Sequence, residues 1–471
     1  MNKSAIAALI TLGLLPVPQS ARAGSATWSA DQANYDWNTA ANWTPETVPN
    51  GPDDIATFYR SGTMSPITSS PVELWGLTFK RGASTFYIYV TPEGPLTIDG
   101  PITNDSVSEH RIYVQGATTT GGVLTISAAT LPALLYLQAG QGAEIGAGAQ
   151  IVFKNQSSAG NAVVTAEGYS MGRRGTSGVI SFVDSASAGN ATLYGGYTVS
   201  GGLIRFLDDS TGGTAQVSAL SQLDISGHNM GIGLRAVTGY PNGIILLGGN
   251  YLQIGEGSAA TEADEFIGRI RDGGEFGGTG GQLRKVGLGT LTLSGANSYT
   301  GGTIVSGGIL LVNNTSGSGT GTGQVQAEAG TLGGSGTITG AVIVGTGTGA
   351  GAILGPGARG VTPGTLTINA KLTLRADATY RVTLDSRVSI ADSVSAKGIR
   401  IQGASILFND LATDVLPAGT SFVIISNTAA SPTSSHFTNL ADGATVIVGN
   451  NTFQANYEGG DGNDLTLTVI Q

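Results

Sequence analysis

The sequence predicts an all-β protein built as a parallel β-helix, and three observations carry that expectation. Short apolar–Thr–apolar pieces recur along the chain: Leu77-Thr78-Phe79, Leu96-Thr97-Ile98, Leu124-Thr125-Ile126, Leu291-Thr292-Leu293, Leu366-Thr367-Ile368, Leu372-Thr373-Leu374 and Leu465-Thr466-Leu467. Alternation with period two is the mark of a half-buried strand, and β-branched Thr suits its outer face. Apolar runs begin at Val179, Leu203, Leu223 and Ile244, a spacing of roughly twenty residues that fits one coil of a solenoid. A β-sandwich would place strands every 8–12 residues or so. Finally, the 471 residues include 75 Gly and only 11% charged residues, against 40% hydrophobic. That composition suits short strands joined by Gly turns, and it excludes coiled coils, collagen and wholesale disorder.

The elements follow in chain order. Lys3, the apolar run Ala5 to Leu15, the prolines Pro16 and Pro18, and the small-x-small pattern Ala21-Arg22-Ala23 read as a secretory signal over residues 1–23, cut after Ala23. The run is too short to span a bilayer, and no later segment is long and apolar enough to do so. Residues 24–73 form an expected β cap. It holds Trp28, Trp37 and Trp43 and ends in the turn-rich run Pro45 to Asp54. Those tryptophans could stack on sugar; a simpler role is to cover the open edge of the first coil. Residues 74–375 are expected to form the solenoid, at about 22 residues per coil, hence roughly 14 coils. Within it, Ser258 to Ile267 is the single helix candidate, since Glu262, Asp264 and Glu265 suit a helical first turn; an acidic loop is the other reading. Thr315 to Gly323 reads as a loop at one corner. Residues 376–471 are expected to be β-rich and to continue or cap the solenoid.

Gly280 to Asn314 reads GGQLRKVGLGTLTLSGANSYTGGTIVSGGILLVNN. Alternation places Leu291 and Leu293 inside, and it assigns Ile304, Leu310 and Val312 to the interior as well. Tyr299 is expected at a corner with one apolar face and one wet end. Gly301-Gly302 and Gly307-Gly308 permit the positive φ that corners need. The elements Lys285-Val286-Gly287, Gly289 to Gly295, Asn297 to Thr303 and Gly307 to Val312 closely resemble the autotransporter-associated β-strand repeat of exported bacterial proteins. Gly330 to Ile338 and Pro363 to Ile368 resemble its downstream companions, and Asp36 to Asn50 resembles the leader of such proteins. The resemblance implies a right-handed parallel β-helix passenger, with no shared catalytic residue. It departs from autotransporters in one respect, because the last hundred residues are too few for a membrane barrel beside the solenoid.

Chemistry is sparse. With no cysteine, disulfides, thiolate metal sites and a Cys nucleophile are excluded. A net charge of −10 argues against nucleic acid and anionic membrane as partners. Asp208-Asp209, His228 and Arg269-Ile270-Arg271 occur in an order faintly like that of polygalacturonase-type glycosidases, which pair carboxylates across the scissile bond. A third acid is missing, and the structural alternative is that the two aspartates turn the chain while His228 sits at a corner. Gly459-Gly460-Asp461-Gly462-Asn463-Asp464 matches one copy of a calcium-roll nonapeptide, but such rolls need tandem copies, and a hairpin turn is the alternative. His110, His228 and His436 lie too far apart in sequence for a recognisable zinc spacing. Arg173-Arg174 reads as a solvated corner. The expectation is therefore of no catalytic, cofactor or metal residue and no cofactor. The reading is an exported, non-enzymatic surface, adhesive or matrix component at the outer surface, outside the cell or in the periplasm. Surface polysaccharide or another cell-surface protein would be its partner. A carbohydrate-active β-helix glycosidase or lyase is the runner-up, and a passenger separated from its barrel the third reading.

Overall fold

The computed structural model describes residues 24–116, 121–140, 148–168, 177–196, 201–219, 222–259, 261–349, 351–358 and 361–470. The expected signal segment and Arg173-Arg174 lie outside these residues. The chain winds about thirteen times as a parallel β-solenoid, close to the coil count expected from spacing. Among the described residues helix is confined to one 3-10 turn, Ala40–Asn42.

The coils carry strands on three faces. A first sheet of 13 strands runs from the cap to Arg269–Arg271, and a second of 16 strands runs beside it. On the third face, among the described residues, the early coils are joined by single bridges, Thr130↔Ser158, Ser158↔Ser187 and Ser187↔Thr211. An eight-stranded third sheet begins there at Gly231–Leu234. The first face lacks strands for two coils, where backbone bonds from Ser298 to Ile270 and from Gly319 to Thr337 carry the stack onward. A seven-stranded fourth sheet then resumes, beginning at Thr337–Ile338. Parallel pairing persists to Ala396↔Asn427 and the single bridge Arg400↔Ser434, and the chain closes with the antiparallel strands Thr445–Val448, Asn451–Gly459 and Asp464–Val469.

Register explains the core. Leu96, Leu124, Ile151, Ile180, Ile204, Leu223, Ile245 and Ile270 are successive partners, so one column of aliphatic side chains runs up the inside of the first sheet. Each is fully buried, worth about 1.5–3 kcal/mol in transfer. Two residues on, Phe153, Phe182 and Phe206 form a second column, with ring centroids 4.7 and 4.8 Å apart and planes within 10°. The strands that start at Val179, Leu203 and Ile244 lie where the spacing placed them, and the one expected at Leu223 starts one residue earlier, at Gln222. All seven apolar–Thr–apolar triplets lie within strands and bury their apolar members.

At the N-terminus Trp28, Trp37 and Trp43 are buried against one another, with Trp28–Trp43 and Trp37–Trp43 centroids 5.0 and 4.8 Å apart. All three also meet Phe58. Indole N–H groups donate to the carbonyls of Thr63, Pro49 and Trp37, which satisfies each buried donor.

Three expectations need correction. Ser258 to Ile267 is neither helix nor loop throughout, because Ala263–Phe266 is a strand paired residue for residue with Thr290–Leu293. Period-two packing of Phe266 over Leu293 outweighs the acidic run's local preference. Ile304 is only half-buried and faces outward, whereas Thr303 and Val305 face in. The cause is Tyr299, which is fully buried rather than wet at one end. Its hydroxyl bonds Thr303 Oγ1 at 2.6 Å, so Thr303 must point inward and Ile304 outward. Leu291, Leu293, Leu310 and Val312 are interior as expected.

Candidate binding surfaces

The coil draws the aspartate–histidine constellation together, with Asp208 bridged to His228 across successive coils. Asn155, Asp184 and Asp208 stand at the same corner of successive coils, each left-handed with φ of 56°, 56° and 55°. Asp208 accepts from the Asp184 N–H at 3.1 Å, and Asp184 accepts from the Asn155 N–H at 3.0 Å. Asp208 is thus one rung of a turn ladder, for which Asn and Asp are the residues that tolerate this conformation. Asp209 accepts from Asn229 Nδ2 at 2.7 Å. His228 Nδ1 accepts from the N–H groups of Met230 and Gly231, at 3.2 and 3.0 Å. That assigns the proton to Nε2, which donates to the Ser210 carbonyl. Both ring nitrogens are therefore engaged by the backbone. An open groove does run past Asp209, His228, Met230, Tyr251, Gln253 and Glu256. Arg269 and Arg271 do not line it; they stand exposed on either side of buried Ile270.

A second surface was not singled out from sequence. On the outer face of the second sheet, the strands Tyr87–Val90, His110–Val114, Leu135–Ala139, Val163–Ala166 and Thr192–Tyr194 pair in register. One outward column reads Tyr89, Tyr113, Gln138, Thr165, Tyr194, and its neighbour reads Tyr87, Arg111, Tyr136, Val163, Thr192. Tyr89 and Tyr113 stack at 5.3 Å and 19°. The Arg111 guanidinium lies 5.2 Å from the Tyr136 ring and pairs with Glu109. Past Tyr113 the column drops to Gln138 and Thr165 before Tyr194 rises again, leaving a recess flanked by Tyr136 and Glu167. Burial pushes the Glu167 carboxyl up from its ordinary value. The signal was present as tyrosines next to apolar residues in YIYV, RIYV and LYLQ, but only pairing register aligns them.

The remaining candidates stand in turns and aromatic contacts. Gly459 to Asp464 is the turn of an antiparallel hairpin, with Gly459 paired to Asp464. His110 is buried in a stack on Phe79 at 3.8 Å and 9°. His436 lies 4.4 Å from the Tyr457 ring. Among the described residues no group of three or more His, Asp or Glu side chains is placed to hold a metal ion.

The passenger-like repeat is fully in register. Residues Gln282–Lys285, Thr290–Leu293, Thr303–Val305 and Ile309–Val312 form its strands, alternating between the third and second sheets. Lys285 is its unusual member, because its side chain is buried and its Nζ donates to the carbonyls of Val286 (2.5 Å) and Gly307 (3.4 Å) at the corner. Desolvation lowers its pKa to about 8, and Asp264 opposes the shift. No curated protein matches the chain. The family model for the passenger-associated transport repeat matches residues 283–312, inside the segment whose residues carried the resemblance. With that repeat set in a parallel β-solenoid, the chain is an autotransporter-passenger-like β-helix protein.

Proposed function

We propose that this protein is exported and serves as a non-catalytic surface, adhesive or matrix component. The observation that carries the reading is the transport repeat at residues 283–312, built into a stack of parallel coils. A stack of this kind buries its core between neighbouring coils and needs no disulfide, which suits a chain threaded through a pore before folding. The non-catalytic part rests on the groove near His228. Its imidazole has no free nitrogen to serve as base, and Asp208 is committed to a turn.

Two measurements test it. Brief protease treatment of intact source cells, followed by fractionation and detection of this chain, should remove most of the signal. Full protection, with the chain in the cytoplasmic fraction, overturns the export reading. Purified protein incubated with pectin, polygalacturonate and related polymers should release no reducing sugar. Release that disappears when Asp208→Asn is combined with Asp209→Asn would replace this reading with a glycosidase.

A further inference from the structure

We infer that the recess between Tyr113 and Tyr194 on the second sheet binds an uncharged glycan, with sugar rings against the tyrosines and hydroxyls bonded to Gln138, Thr165 and Glu167. Shape comes first. Tyr113 and Tyr194 are three coils apart in one column, and coils repeat at about 4.8 Å, so the two side chains stand about 14 Å apart. The residues between them, Gln138 and Thr165, are shorter and form a polar floor. A sugar ring has apolar C–H faces and a rim of hydroxyls, so it needs aromatic surface and hydrogen-bonding groups side by side. Tyrosine supplies an apolar face with a polar tip, and the floor supplies the rest.

Unmet hydrogen bonding is the second argument. Glu167 is half-buried, and its carboxyl makes no hydrogen bond or ion pair with any described residue; the Gln138 amide and the Thr165 hydroxyl make none either. These groups have no protein partner among the described residues and reach the open recess, so they are available to the hydroxyls of a polyhydroxylated ligand. Charge is the third. Arg111 is held by Glu109 and lies over Tyr136, so the uncommitted charge in the recess is the Glu167 carboxylate. With a chain charge of −10 and the Glu167 carboxyl in the recess, acidic polymers are repelled. A neutral glycan fits what remains. This gives the surface role proposed above a partner, yet it concerns the site and not the compartment.

The test is affinity electrophoresis of the purified chain in native gels that contain a β-glucan, a galactomannan or a xylan, with polygalacturonate as the acidic counterpart. At least one uncharged polymer should retard the protein, and polygalacturonate should not. Tyr113→Ala and Tyr194→Ala should each weaken apparent affinity about tenfold, as expected for loss of one aromatic contact. Glu167→Gln should weaken it less, and Tyr35→Ala, which removes an exposed ring in the cap, should leave it unchanged. Circular dichroism identifies the folded variants; Tyr113 also stacks on Tyr89, and Tyr113→Phe, which keeps that ring, should retain binding. The inference is overturned if no uncharged polymer retards the protein, if polygalacturonate retards it equally, or if folded Tyr194→Ala and Tyr113→Ala bind like the parent. Those outcomes leave the export measurement untouched, and a cytoplasmic location would leave these gels untouched.

Discussion

Replacing Phe182 by Ala probes the stack where its geometry is best defined. Phe182 is fully buried, with Phe153 at 4.7 Å on one side and Phe206 at 4.8 Å on the other. A buried Phe→Ala change costs about 3–5 kcal/mol, of which two aromatic pairs at about 0.5–1.5 kcal/mol each supply about 1–3. In a solenoid each coil touches only its neighbours, so the loss is felt as weaker coupling between adjacent coils rather than evenly along the rod. The assay is hydrogen exchange read by mass spectrometry on peptides that cover Gln150–Phe153, Val179–Phe182 and Leu203–Phe206. At about 1.4 kcal/mol per decade, their amides should exchange two to three and a half orders of magnitude faster. Peptides covering Gly330–Gly334 and Ala352–Pro356, many coils away, should be unchanged. Phe182→Leu, which keeps most of the volume, should cost far less. Equal exchange in parent and Phe182→Ala would refute the ladder, and uniform acceleration along the whole chain would refute the nearest-neighbour picture.

Three further expectations follow from the same structure. Leu293→Asp should cost several kcal/mol because it sets a carboxyl between Phe266 and Val312 in the core, whereas Ile304→Asp on the outer face should cost much less; equal losses in urea melts would mean the register is wrong. Lys285 titrates near 8 in the fold against an ordinary 10.5, so between those values the unfolded chain binds the extra proton and stability rises with pH. Chemical denaturation at several pH values should show that rise in the parent and a smaller one in Lys285→Met. Burial lowers His110 from 6.5 to about 4, while its Nδ1 accepts from the Phe86 N–H. Stability should therefore fall as pH drops from 6.5 towards 4, and His110→Asn should flatten that limb.

Strand positions were readable because a solenoid strand is a local object. Period-two alternation in Leu124-Thr125-Ile126 or Leu291-Thr292-Leu293 says which residues face in, whatever lies in the next coil. The tryptophan cluster was readable for a similar reason, since three large apolar rings within a short segment have few ways to be buried apart. Phase failed at Ile304, where a buried tyrosine hydroxyl four residues from its partner chose the inward residue, and no alternation score contains that bond. The strand Ala263–Phe266 was hidden because its acidic residues favour other local structures, and a neighbouring coil outweighed them.

By itself the sequence determined the all-β class, the aromatic cap and the passenger-like repeat, because each depends on residue type and spacing along the chain. Only the tertiary structure decided which residues of different coils share a column. It made Asp208 a rung beside Asp184, and it engaged both nitrogens of His228 with the backbone. It also aligned Tyr113 with Tyr194 across two short side chains. The coil interval varies from turn to turn, with Ile180 to Ile204 and Ile204 to Leu223 unequal, so no fixed period projects one coil onto the next. That projection is set by hydrogen-bond register between strands, which is a property of the folded stack.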